Sequence, residues 1–188
     1  ALLTQAWTVS AWVKCNDTIT PTLMSFGGLK TSLRLQNKGN SQPILHLGTY
    51  HYRYFSPSAW TTLKNGQWHH VVFTIPGSAQ DSILSSAMYL DGVSVPTAST
   101  MATGPQEAKT GVFLGNTNET GIQWFSGAMD EVRLYNRALT VQEIQSLYTE
   151  PGVVPVNRAP VLAVIGAKSV VEGNALTFAI SATDADND

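Results

Sequence analysis

The chain predicts an antiparallel β-sandwich, and three observations carry the prediction. Short runs of strand character recur along the first 150 residues, turn signals separate them at short intervals, and one convincing helix is present. Without a long helical pattern nothing is available to cover the faces of a parallel sheet, which leaves two antiparallel sheets packed on one another. Composition agrees: at 188 residues, 43% hydrophobic and net charge −2, the chain is long enough for one main core and lacks the basic excess that a nucleic-acid partner would require.

The strand runs are Trp7 to Val13, Thr31 to Leu35, Ile44 to Tyr50, Trp68 to Ile75, Ala87 to Leu90, Gly111 to Leu114 and Phe125 to Tyr135. Turns are marked by Asn37-Lys-Gly-Asn40, Asn65-Gly66 and Asp91-Gly92. Period-two alternation assigns faces. Trp7, Val9, Ala11, Val13 and Cys15 form one core-facing row, and His69, Val71, Phe73 and Ile75 another, with His69 read as a core histidine bonded to a neighbour. Trp12 and Trp68 then point away from the core, either packed under loops or open to a ligand. In the last strand, Asp130 is expected to share the core-side face of Val132 and Leu134, with Glu131 and Arg133 opposite. A carboxylate at the core margin needs backbone N–H partners or a cation. Beyond this strand, Thr140-Val-Gln-Glu143 reads as a capping box opening the helix, whose apolar stripe is Ile144, Leu147 and Tyr148.

The block from Gly127 to Tyr148 resembles the closing strand and helix of laminin-G-like jelly-roll modules of the concanavalin A-like superfamily. Trp7-Thr-Val-Ser-Ala-Trp-Val-Lys14 is similar to that family's early strand, Gly66-Gln-Trp-His-His-Val-Val-Phe-Thr74 to its central strand, and Ala87-Met-Tyr-Leu-Asp-Gly-Val-Ser94 to its hairpin. The four blocks follow the family's order across most of residues 1–150. The chain begins almost directly on the Trp7 strand, so the extra strand that usually opens such modules is expected to be trimmed. The resemblance implies a structural Ca²⁺ held by Asp130 together with backbone oxygens, for which the Gly27-Gly28 turn can present a carbonyl. It also implies an extracellular or cell-surface location, in a bacterial protein, with glycan or cell-surface protein partners.

Ligand chemistry points to the most aromatic segment, Leu47 to Trp60. Tyr50, Tyr52 and Tyr54 can share a face, with Trp60 beyond them and Trp124 ahead of the last strand as further contacts. Such rings stack on sugar C–H faces or serve protein interfaces; alternatively they cover a sheet edge. Catalysis is not expected. A glycoside hydrolase needs two carboxylates facing each other across the scissile bond, and the adjacent pair Asp130-Glu131 is expected to diverge to opposite faces.

Cys15 is the single cysteine, so no intrachain disulfide is possible. No apolar run approaches the length of a membrane span. Asn16-Asp-Thr18 and Asn118-Glu-Thr120 match the N-glycan sequon, a motif frequent by chance, and receive no role. From 151 to 160 the prolines at 151, 155 and 160 mark a linker. Residues 161–188 resemble the truncated start of a cadherin-like or immunoglobulin-like bacterial surface repeat. They number 28, against about 100 for a complete seven-stranded sandwich, and are expected to be disordered alone or ordered only by docking. The reading is a noncatalytic, extracellular recognition module, carbohydrate-binding or adhesive, with a structural calcium. The alternative is a ligand-free spacer domain of a surface adhesin or multidomain secreted enzyme.

Overall fold

A computed structural model describes residues 6–15, 22–26, 31–35, 42–48, 51–77, 82–103, 111–116, 124–150 and 161–183. The chain divides into two compact units, residues 1–153 and 154–188.

In chain order the first unit comprises β1 (Trp7–Cys15), β2 (Thr22–Ser25), β3 (Thr31–Arg34), β4 (Ile44–Gly48), β5 (His51–Phe55), α1 (Pro57–Leu63), β6 (Trp68–Ile75), α2 (Ser82–Ser85), β7 (Ala87–Leu90), β8 (Val93–Val95), β9 (Thr97–Ala102), β10 (Phe113–Leu114), β11 (Gly127–Tyr135) and α3 (Val141–Thr149). A five-stranded sheet has the order β11-β1-β6-β7-β8, a six-stranded sheet the order β10-β2-β3-β4-β5-β9, and all pairs within them are antiparallel. This is the β-sandwich expected from the turn spacing. The β7–β8 hairpin turns on Asp91 (φ 51) and Gly92 (φ 75), both in the left-handed conformation that a two-residue turn of matching twist requires.

The core lies between the sheets. Trp7, Val9, Ala11, Val13 and Cys15 of β1, and Val71, Phe73 and Ile75 of β6, meet Leu33 of β3, Leu45 and Leu47 of β4 and Phe55 of β5. Burial pushes the Cys15 thiol up to about 12, which keeps it protonated and unreactive at neutral pH. His69 is buried beside this core with Nδ1 2.7 Å from Asp91 Oδ2, the partnered histidine expected. A smaller cluster of Val72, Leu139, Ile144 and Leu147 packs α3 onto the outer face of the five-stranded sheet. The capping box is present: Thr140 N–H donates to Glu143 Oε2 at 2.7 Å, and Glu143 N–H to Thr140 Oγ1 at 3.3 Å.

Two short helices were not foreseen. Helix α1 begins at Ser56, whose hydroxyl accepts from Ser58 N–H, with Pro57 pre-set for the first helical turn. It buries Ala59, Trp60 and Leu63. The four-residue α2 is tied to β5 by Arg53, which donates to the carbonyls of Ile83 and Leu84 and to Thr97 Oγ1.

In the second unit, β12 (Val161–Leu162) and β13 (Ala182–Thr183) form a two-stranded antiparallel ladder. Every described residue from 161 to 183 is exposed, so the segment holds apolar side chains such as Val161, Leu162, Phe178 and Ile180 without a core of its own.

Candidate functional site

The outer face of the six-stranded sheet presents two adjacent cross-strand rows. Register places Phe113, Ser25, Ser32, His46, Tyr52 and Met101 in one row, and Thr22, Arg34, Ile44, Tyr54 and Ser99 in the next. Six of these eleven side chains are polar besides the two tyrosines, and Thr22, Ser25, Ser32 and Ile44 are buried, which leaves His46, Tyr52, Tyr54, Phe113, Ser99 and Met101 as the accessible part of the face. Arg34 is buried too, at 3% exposure, and its Nη2 donates to His46 Nδ1 at 2.7 Å. A guanidinium has no acceptor, so Nδ1 of His46 is the accepting nitrogen and the ring proton resides on Nε2. The His46 ring meets Tyr52 edge-on at 5.4 Å, and Tyr52 meets Tyr54 edge-on at 5.2 Å, all three half-buried. The result is a fixed aromatic corner with phenol and imidazole polar atoms, resting on a buried cation.

Of the aromatic residues singled out in the sequence, Tyr52 and Tyr54 are brought together here as expected. Tyr50 lies outside the described residues. Trp60 corrects the expectation: it is 2% exposed in the main core, because Ser56-Pro57 starts a helix that turns its ring inward. Trp124 is 56% exposed, beside Phe125, whose N–H donates to Gly115 O at 2.8 Å next to β10. The β10 edge is four strand positions from β5, roughly 19 Å at the usual strand spacing, so Trp124 and the tyrosine pair flank one sheet from its two sides. Arg34 and His46 were missed, although alternation within Thr31 to Leu35 and Ile44 to Tyr50 already put both on the non-core face.

Asp130 is the second correction. The ladder between β1 and β11 slips between Ser10 and Trp12, so that Trp12 pairs with Asp130 and Ser10 with Arg133. This is a bulge at Glu131, which takes φ 49. One inserted residue reverses the parity of the strand: Val132 packs on the core, while Asp130 is exposed on the outer face beside Trp12. Asp130 Oδ1 accepts the Glu131 N–H at 2.8 Å, and Glu131 is paired with Arg133. The two carboxylates do not diverge; both line an open pocket with Trp12 and Trp68. A calcium shell needs about six to eight oxygens. Gly27 and Gly28 lie outside the described residues, and among the described residues no three His, Cys, Asp or Glu side chains cluster to hold a metal. Of the expected calcium ligands the structure therefore places Asp130, on the outer face beside Glu131.

Behind Trp12, His70 is buried with Nε2 2.8 Å from Ser10 Oγ, while its Nδ1 has no hydrogen-bonding partner among the described residues. Desolvation pushes its pKa down to about 4, opposed by Asp91 and reinforced by Arg133.

Two antiparallel sheets in this strand order define a jelly-roll-type β-sandwich. The family model of the concanavalin A-like lectin/glucanases superfamily, laminin G type, matches residues 1–145, and the chain belongs to that family. A comparison with curated proteins finds no significant match. Among solved structures, a putative carbohydrate binding protein from Bacteroides ovatus is similar at 19% identity and TM-score 0.56, over 76% of this chain and 40% of that one. Domain 4 of AbnA, a GH43 extracellular arabinanase from Geobacillus stearothermophilus solved with arabinotriose, is similar at 27% identity and TM-score 0.51, over 77% of this chain and 66% of that one. A SAP-like pentraxin from Limulus polyphemus shares the fold at 15% identity and TM-score 0.51, over 81% of this chain and 73% of that one. This chain thus spans less than two thirds of the first two structures.

Proposed function

We propose that the sandwich is a noncatalytic carbohydrate-binding module of an extracellular multidomain protein, and that it takes a glycan on the outer face of the six-stranded sheet. The observation that carries this reading is the His46–Tyr52–Tyr54 corner held over buried Arg34. Aromatic rings give an apolar platform for the C–H face of a pyranose or furanose, and the Tyr52 phenol exchanges hydrogen bonds with its hydroxyls. Because the corner is fixed by ring-to-ring contacts and the Arg34 bond, little side-chain freedom is lost on binding. The likeness to the arabinanase domain solved with arabinotriose supports a saccharide ligand, and that protein's extracellular character supports the location. No helix among the described residues is long and apolar enough to cross a membrane. The noncatalytic part of the reading rests on Asp130 and Glu131: neighbours on one strand, they form one wall of a pocket rather than two groups opposed across a bond, and Glu131 is already paired with Arg133.

The test is a glycan array followed by calorimetry on the best hit. Tyr52→Ala is expected to weaken binding at least tenfold, about 1.4 kcal/mol, without moving the melting temperature by more than a few degrees. Blank arrays with well-folded protein would instead favour a spacer domain with no ligand of its own.

A further inference from the structure

The other outer surface of the sandwich carries a feature that the tyrosine corner does not use. Trp12, Trp68, Asp130 and Glu131 line a pocket of about 360 Å³ on the five-stranded sheet, within the volume range of small-ligand sites. Trp12 is held in place: its ring stacks on Tyr148 of α3 at 5.8 Å and 23°, and lies 5.4 Å from His70. Trp68, in the next strand, is 43% exposed. The carboxylates reach the pocket because of the bulge at Glu131, and Asp130 is oriented by the Glu131 N–H.

We propose that this pocket is a second saccharide site, selective for a neutral sugar that stacks on the indoles and donates hydroxyl hydrogens to Asp130. Ionised carboxylates only accept, so the ligand must be a donor. Arg133 offsets the charge of Glu131, and Lys14, paired with Trp68 in the ladder, is the next outward residue of β1. With the charges nearly balanced, the pocket holds little attraction for either an organic cation or a uronic acid. Two sites on opposite surfaces make the module bivalent, able to engage two segments of one polysaccharide or two chains. The inference stands on residues separate from the tyrosine corner.

Indole resonances of the full chain test it directly. The protein is titrated with a panel of neutral oligosaccharides including arabinotriose, and separately with galacturonic acid and tetramethylammonium. The expected result is that the Nε1–H signals of Trp12 and Trp68 shift and saturate with at least one neutral sugar, that Trp68→Ala weakens this binding at least tenfold, and that Tyr52→Ala leaves the indole shifts intact. Shifts with tetramethylammonium or galacturonic acid alone, no shift with any neutral sugar, or shifts abolished by Tyr52→Ala would each overturn the proposal. Loss of binding at the tyrosine corner with retained indole shifts would count against that corner alone.

Discussion

Replacing Gly127 by alanine should be the most damaging small substitution on β11. Gly127 pairs with Cys15 at φ +148, and an added Cβ would stand 2.0 Å from the Lys14 carbonyl oxygen. Side chains do not tolerate such contacts below 3.0 Å, and the obstructing atom is backbone, unable to rotate aside. Relief requires the first ladder positions of β11 to separate from β1, or the residue to leave its conformation. Overpacking of this kind costs about 1–3 kcal/mol, and holding alanine at such a φ about 1–3 kcal/mol more. A total of about 2–6 kcal/mol lowers the melting temperature of a domain this size by roughly 4–24 °C. Gly92→Ala is the comparison: its φ is +75, but the nearest atom is Tyr148 Cδ1 at 3.2 Å, a side chain able to give way. Thermal unfolding followed by circular dichroism should therefore show Gly127→Ala losing at least twice what Gly92→Ala loses. A Gly127→Ala protein melting within 2 °C of wild type would refute the reasoning about the Lys14 contact.

Acid sensitivity and metal response give two more outcomes. His70 is buried neutral with its pKa near 4, below the usual 6.5, so the unfolded chain binds its proton more readily. Its contribution is complete above about pH 6.5 and is lost as pH falls toward 4, about 3 kcal/mol in all. Urea midpoints should fall more steeply over that window in wild type than in His70→Gln, and equal slopes would contradict the assignment. For calcium, metal-stripped protein should melt at the same temperature with Ca²⁺ and with chelator. A separation of several degrees that disappears in Asp130→Asn would instead support the calcium site expected from sequence.

The faces of β1 and β6 were legible because side-chain direction alternates through one unbroken register between the two strands, from Trp7–Ile75 to Lys14–Trp68, and their apolar rows both enter the main core. The α3 capping box was equally local. Trp60 was misplaced although its signal was present: Ser56-Pro57 is a helix start, and reading it as loop turned a core ring outward. Arg34, His46 and Tyr52 needed more than local pattern. Their meeting depends on β3, β4 and β5 being neighbours in one register, a pairing between distant positions that alternation within each strand does not specify.

The bulge joins the fold to the pocket. Without Glu131, the sequence Met129-Asp-Val-Arg-Leu-Tyr alternates without interruption, Met129 and Val132 toward the core, Asp130 and Arg133 away from it. The sheet pairing itself thus has no use for the extra residue, since both apolar side chains reach the core cluster on either side of it. Inserting Glu131 places a non-glycine residue at φ 49, a conformation that costs of order 1–3 kcal/mol. What the insertion adds is an acceptor beside Asp130 and an N–H that fixes the Asp130 carboxylate against Trp12 and Trp68. A locally unfavourable backbone that core packing does not require, and that aims polar atoms at two indoles, supports the proposed second site.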